Sequence, residues 1–264
     1  MQSQIQKIIN DHEKNKRMYR MILVLLFVTG LSILVLLTVN LPTLSEEEKD
    51  ILFTIPSDTR KISNTAALLK RYSASNGTLI LAIFCTSYLF LQTFAIPGTL
   101  FLSILSGALW GKFYGMIVTS LCATIGSSFC FILSKTLLKG WVVRQWPKQI
   151  IYLHDKIKKQ EKRVILLMLF LRLQPVVPNI VNNLVCPLVG MPLYAFSLGT
   201  FIGLIPFNLV HINTGATLSD LSTIGFRTHH LVLAAVLGFL VMIPNILNWL
   251  YSSQKANQKN KTYI

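Results

Sequence analysis

The chain has 264 residues, 52% of them hydrophobic and 13% charged. Soluble domains carry about 25% charged residues, so a soluble enzyme, a disordered chain and a fibrous protein are excluded, and an all-α polytopic membrane protein is predicted. The net charge of +15 lies mainly in loops and tails between apolar blocks, which points to anionic phospholipid headgroups rather than nucleic acid as the partner.

Residues 1–20 form a basic tail with Lys14, Lys16, Arg17 and Arg20. Residues 21–39 hold no charge and are long enough to cross the hydrocarbon core, which predicts a first transmembrane helix. Its positive flank predicts a cytosolic N-terminus. The block is too long for a signal-peptide core and lacks a small-residue cleavage site. Residues 40–78 carry Glu46, Glu47, Glu48, Asp50 and Asp58, half of the ten acids, and read as a polar, non-cytosolic loop. Asn76-Gly77-Thr78 matches a glycosylation sequon.

Residues 79–138 make an apolar tract whose only charges are Lys112 and Lys135. It is broken at Ile96-Pro97-Gly98 and at Gly107-Ala108-Leu109-Trp110-Gly111. The expected pieces are a span over 79–95, a half-length segment over 98–110 and a second span over 112–134. Residues 139–163 hold eight Lys/Arg against Asp155 and Glu161, with Trp141, Trp146, Ile150, Ile151, Leu153 and Ile157 interleaved. That composition fits an interfacial basic amphipathic helix or a solvated connector. A second broken tract covers 164–211, with helix resuming near Leu193 and running to about Val210. A polar connector (212–230), a last transmembrane helix (231–250) and a basic tail (251–264) complete the chain. Cys85, Cys122, Cys130 and Cys186 all sit in apolar stretches and read as small packing residues.

The two tracts share one plan. Each has an apolar approach, a Pro-containing break, 12 to 15 mixed residues ending in glycine, and a full span. Pro97, Gly98, Gly107 and Gly111 mark the first; Pro175, Pro178 and Gly190 mark the second. Glycine every fourth residue (Gly107, Gly111, Gly115; Gly199, Gly203) lets helices approach closely in lipid. An unsatisfied backbone group in hydrocarbon costs several kcal/mol, so broken backbone survives there only inside protein or beside a watery cavity. Two such breaks in corresponding halves predict an internal repeat with a transport site between the halves. The expected fold is a helical bundle with two opposed re-entrant hairpins, near 96–111 and 172–192, in an inverted-repeat arrangement.

Arg172 follows eight apolar residues, and a central charge costs roughly 2.5–3.5 kcal/mol on insertion scales. No acid falls in any predicted membrane segment. Arg172 must therefore find carbonyls freed near Pro175 and Pro178, water or a phosphate, with Asn179, Asn182 and Asn183 beside it. It either contacts a lipid phosphate in a polar cleft or braces the re-entrant loop; both readings stand. An ion-coupled transporter usually needs an intramembrane acid. Paired carboxylates, nucleophile elbows, zinc-helix motifs and phosphate loops are all missing. A passive conduit that is not an enzyme and needs no cofactor is therefore expected.

Phe94-Ala95-Ile96-Pro97-Gly98 with Phe101-Leu102-Ser103-Ile104-Leu105-Ser106-Gly107 resembles the DedA/VTT-domain superfamily. So does Phe170-Leu171-Arg172-Leu173-Gln174-Pro175 with Pro178-Asn179 and Gly199-Thr200-Phe201-Ile202-Gly203. Within it the chain is similar to the eukaryotic transmembrane protein 41 branch, over about residues 79–225. The resemblance implies facing re-entrant hairpins with Pro97, Gly98, Arg172, Pro175, Pro178 and Asn179 at hairpin positions. It implies residence in the endoplasmic reticulum and ATP-independent phospholipid scrambling, with roles in lipid mobilisation and autophagosome formation. Autophagy or lipid-handling membrane proteins are then the implied partners. Bacterial members carry membrane-embedded acids linked to proton coupling, which this sequence lacks.

The expected mechanism is a polar groove in which Arg172 attracts phosphate and Lys112 and Lys135 gather anionic headgroups at its mouth. The competing readings are an ion-coupled small-solute transporter on the same scaffold and a non-transporting membrane assembly factor. Counting spans puts 139–163 opposite the N-terminus, whereas the positive-inside rule wants both basic segments on one side.

Overall fold

A computed structural model describes residues 12–41, 45–53, 59–159, 163–174 and 178–220. Pro175, the expected span 231–250 and the tail 251–264 lie outside the described residues. The described chain is helical throughout: α1 (Lys16–Val39), α2 (Glu46–Phe53), α3 (Thr59–Thr93), α4 (Thr99–Leu133), a π-helical turn (Ser134–Leu138), α5 (Lys139–Gln145), α6 (Pro147–Lys159), α7 (Val164–Leu173), α8 (Asn179–Val185), a 3₁₀ turn (Cys186–Val189), α9 (Leu193–Gly203) and α10 (Ile205–Asp220). Three stretches are long and apolar enough to cross a membrane: Lys16–Val39, Ser75–Thr93 and Thr99–Gln145. α9 and α10 together make a fourth, bent by 41°. Pro206 explains the bend, because it has no N–H to return to the Ile202 carbonyl. The all-α membrane class read from the sequence holds.

Residues 40–78 correct the sequence reading, because helix replaces much of the polar loop. Ser45 and Glu48 form a reciprocal cap: the Ser45 N–H donates to Glu48 Oε2 at 2.9 Å and the Glu48 N–H to Ser45 Oγ at 3.3 Å. Such a pair satisfies two orphan donors at a helix start. Glu48 also accepts from Arg71 and from the Tyr72 hydroxyl, tying α2 to α3. α3 begins at Thr59 and bends at Asn76, whose φ of −132° and ψ of 41° are non-helical. Helix likewise takes the first part of the expected 212–230 connector, since α10 continues to Asp220; residues 221–230 lie outside the described residues.

Gly111 splits α4, with φ of +73°. Only glycine adopts this conformation freely, so Thr99–Trp110 folds back against 112–133. Ser106 and Thr119 hydroxyls meet at 2.7 Å across that turn. The Tyr88 hydroxyl reaches Ser103 Oγ at 3.2 Å, and Phe84 packs edge-on to Trp110 at 4.9 Å. So the 99–110 segment runs antiparallel to both neighbours. α3 and the second half of α4 run parallel, because Gln92 bonds Ser127 and a side chain on Gly126 would strike Gln92.

The second tract repeats this arrangement. α7 runs parallel to α9, with Gly199 against Met168 and Gly203 against Arg172. α8 and the 3₁₀ turn return between them. Gly190, at φ +86°, closes the turn as Gly111 does in the first unit. The two units are inverted: Ser128 meets Ser197 at 2.8 Å while Ser120 meets Asn208 at 3.3 Å, so α4 and α9–α10 run antiparallel where they touch. Gly107 and Gly215 let α10 lie directly on the backbone of the first hairpin, at Ile212 and Ile104.

The basic segments share one end of the bundle. Arg144 pairs with Glu13 at 2.6 Å, and His12 fills the space above Gly140. This overturns the span count, which put 139–163 opposite the N-terminus. The count treated 112–134 as returning across the membrane; in fact 99–110 makes the return, over half the length. The Gln92–Ser127 contact, just before the first break, lies thirteen residues of helix short of Gly140. At 1.5 Å per residue that is roughly 20 Å, well inside a hydrocarbon core of about 30 Å. α6 covers the second hairpin from the same end: Ile150, Leu153 and Ile157 are buried against it, while Ile151, Tyr152 and Lys158 face outward. Residues 139–163 therefore contain an amphipathic helix whose apolar face is against the hairpin.

His12 is buried, stacks on Tyr19 at 5.3 Å, and its Nδ1 has no partner among the described residues. Burial pushes its pKa below the ordinary 6.5; Arg144, Lys139 and Lys16 add to the depression and Glu13 opposes it. The docked form thus favours neutral imidazole. Docking of the N-terminal segment is complete above the undocked pKa and weakens as pH falls through it. The protection of the amides of residues 12–20, taken relative to their intrinsic exchange rates, is expected to fall between about pH 7.5 and 5.5. His12→Leu should remove that loss; protection that still falls with pH in this variant would contradict the assignment.

Candidate functional site: a buried arginine and a polar seam

Arg172 occupies the last turn of α7, where the apolar run ends. It is only 1% exposed. Its Nε donates to Thr200 Oγ1 at 3.0 Å, Nη1 to Asn179 Oδ1 at 3.2 Å, and Nη2 to Asn183 Oδ1 at 2.7 Å and to Thr200 Oγ1 at 2.8 Å. The guanidinium carbon lies 5.0 Å from the Phe196 ring centre, a cation–π distance. Asn179 and Asn183 are one turn apart on α8 and present one face to the cation. Gly203 makes room for the arginine stem, because a Cβ there would lie 2.6 Å from Arg172 Cβ.

The acceptors of Arg172, Thr200, Asn179 and Asn183, are neutral, and no carboxylate pairs with it among the described residues. Its hydrogen bonds are satisfied but its charge is not compensated. Burying an ion without a counter-ion is costly. A site of this kind has affinity for an anion, and the planar fork of N–H groups matches two phosphate oxygens.

The break beside it is repaired by a side chain. Residue 175 is proline and has no N–H to return to the Leu171 carbonyl. Asn182 Nδ2 donates to that carbonyl at 3.2 Å instead. Asn182 Oδ1 is left without a partner among the described residues, in a fully buried side chain. An unpaired buried acceptor costs about 1–3 kcal/mol, so this atom too favours an incoming donor.

A seam of hydroxyls and amides extends from Arg172 through the middle of the bundle. Ser134 Oγ donates to the Leu184 carbonyl at 2.5 Å, and Ser128 meets Ser197. Gln92 bonds Ser127, Asn208 bonds Ser120, and Ser106 bonds Thr119. Ser134–Leu184, Ser128–Ser197 and Asn208–Ser120 cross between the two inverted units, and Gln92–Ser127 and Ser106–Thr119 lie within the first.

The predicted site residues are distributed as follows. Arg172, Asn179, Asn182 and Asn183 come together at one pole. Pro97 is exposed and Gly98, at φ +139°, forms the first break. Gly107 and Gly111 serve the first hairpin, as contact and turn. Pro178 precedes α8 and is exposed. Lys112 and Lys135 are exposed but stand at opposite ends of the α4 span. They therefore do not share a groove mouth, which corrects the expectation for them. Arg172 itself sits in a closed network rather than an open cleft, so in this conformation it braces the hairpin. The sequence reading missed Thr200, Gln92, Ser127, Ser128, Ser197 and Asn208. Serine and threonine are common in membrane helices, and only their partners in the fold set these apart.

Two inverted units, each a helix, a half-length return and a long helix, with a buried cation at the second break, define a polytopic membrane protein of the re-entrant hairpin class. Residues 96–217 match the VTT domain. The chain is 34% identical to transmembrane protein 41B of Danio rerio over 230 residues, covering 86% of this chain and 81% of the relative. It is 32% identical to transmembrane protein 41B of Homo sapiens over 246 residues (89% and 84%), and 34% identical to that of Xenopus laevis over 240 residues (90% and 86%). No solved structure matches. The chain belongs to the VTT-domain family, in its transmembrane protein 41 branch.

Proposed function

We propose that this protein is an ATP-independent phospholipid scramblase of the endoplasmic reticulum membrane, supporting lipid mobilisation and autophagosome formation. The observation that carries the reading is the buried, uncompensated Arg172, held by neutral oxygens at the start of a polar seam between two inverted units. A lipid phosphodiester supplies the missing negative charge. When α4 parts from α8 and α9, the phosphate takes over N–H groups now given to Asn179, Asn183 and Thr200. The headgroup then follows the seam while its acyl tails stay in lipid. No bond is made or broken, so the protein is not an enzyme on this reading. Net flow follows the lipid gradient.

Purified full-length protein in phosphatidylcholine vesicles, without nucleotide or ion gradient, is expected to expose inner-leaflet tail-labelled lipid to an outside quencher. Vesicles that need an imposed gradient would point to the coupled-transporter reading. Quenching no faster than in empty vesicles would remove scrambling altogether.

The shared basic end favours a cytosolic position for both the N-terminus and α6. Lys16→Cys and Lys158→Cys are expected to react with an impermeant maleimide while the organelle lumen is closed. Reaction of either only after the lumen is opened would contradict this orientation.

A further inference from the structure

The two inverted units share a pattern of helix contacts, and that pattern gives Arg172 a counterpart. A side chain on Gly203 would meet Arg172 Cβ at 2.6 Å; one on Gly126 would meet Gln92 Cβ at 2.7 Å. Four residues earlier in each unit, Met168 lies against Gly199, and Tyr88 belongs to the cluster containing Cys122. The turns Gly111 and Gly190 occupy corresponding places. Gln92 is therefore the counterpart of Arg172, at the last turn of the approach helix and just before the break. Both reach a hydroxyl on the long helix of their own unit: Arg172 reaches Thr200, and Gln92 Nε2 donates to Ser127 Oγ at 2.8 Å.

The poles differ in chemistry. The Arg172 pole is cationic and donates through its guanidinium, while its unpaired acceptor, Asn182 Oδ1, is fully buried. At the other, the carboxamide gives one of its two N–H groups to Ser127, and Gln92 Oε1 accepts no hydrogen bond among the described residues. Gln92 is half-buried, whereas Arg172 is closed off. This pole offers an acceptor without charge.

We propose that Gln92, held by Ser127, is a second headgroup station that accepts a hydrogen bond and selects lipids whose headgroup donates one. Ammonium and hydroxyl headgroups, as in ethanolamine, serine and glycerol lipids, satisfy it; the quaternary ammonium of choline has no N–H to give. The inference rests on the scramblase reading and adds selectivity to it. Arg172 serves the phosphate common to all these lipids, so it sets the rate for each of them. Gln92 sets the ratio between them. A site built to pair with a donor discriminates against the analogue that lacks it, because the acceptor is then left unpaired.

The test uses full-length protein in phosphatidylcholine vesicles with trace tail-labelled phosphatidylethanolamine or phosphatidylcholine. The ethanolamine reporter is expected to cross about fivefold faster, the scale of one neutral hydrogen bond. Gln92→Met, of similar length without the acceptor, should bring the ratio to about one. Ser127→Ala, a smaller change that frees the carboxamide to turn, should lower the ratio part of the way, and it stands in if Gln92→Met fails to fold. Arg172→Met should slow both reporters alike. Equal crossing of the two reporters by the wild type, or a ratio untouched by the Gln92 or Ser127 change, would overturn the station while leaving scrambling intact. A wild type that moves neither reporter would sink the scramblase reading and the station with it.

Discussion

Arg172→Ala is expected to lower lipid transfer per folded molecule at least tenfold and to destabilise the protein by about 2 kcal/mol. The stability loss follows from stranding Thr200, Asn179 and Asn183, which now accept four hydrogen bonds from one guanidinium. Removing the charge offsets part of it, since burying that charge is itself unfavourable. The transfer loss is a separate quantity. It reflects the lost affinity for phosphate as the units part. Arg172→Lys keeps the charge but loses the planar fork, so it should fall between the wild type and alanine. Quantified vesicle assays on monodisperse protein separate the two effects. Transfer that declines only in proportion to the folded fraction would mean that Arg172 braces α7, α8 and α9 and does nothing else.

Gly215→Ala is expected to be among the most damaging single-methyl changes in the chain. A Cβ there would collide with the Ile104 carbonyl, and one at Gly107 would collide with the Ile212 carbonyl. These are backbone atoms of packed helices, so no side chain can swing aside. α10 must lift from the first hairpin. Overpacking of this kind costs about 1–3 kcal/mol, and more where backbone has to shift. Thermal unfolding in detergent should show Gly215→Ala and Gly107→Ala each well below wild type. Gly77→Ala provides the control, because only the Ser73 hydroxyl lies near its Cβ, at 3.7 Å. Equal stability of all three would mean that α10 is not seated on the hairpin.

The features most legible in the sequence were those that membrane physics punishes. Prolines and glycines inside apolar tracts cost backbone hydrogen bonds, so Pro97-Gly98, Gly111 and the 174–178 region stood out as breaks. An arginine after eight apolar residues stood out for the same reason. The direction of 99–110 was not legible, because a half-length helix has the same composition whether it dips back to its own side or makes the return for a longer partner. The Tyr88–Ser103, Phe84–Trp110 and Ser106–Thr119 contacts decide it. The helix over 46–53 carried a readable capping signal, Ser45 followed by Glu48, which its acidity obscured. Thr200 and Gln92 carried no local signal. Their meaning comes from the glycines opposite Arg172 and Gln92, on helices some thirty residues away in sequence.

The account makes lipid passage depend on parting the two units along the seam. Ser128 and Ser197 face each other across it, with hydroxyls 2.8 Å apart, a separation that a disulfide between cysteines at these places can bridge. The direct measurement is lipid transfer by Ser128→Cys/Ser197→Cys protein, with its four native cysteines replaced by alanine, before and after oxidation. Transfer should nearly stop when the bond forms and return when a reductant breaks it. Undiminished transfer by fully cross-linked protein would contradict the account.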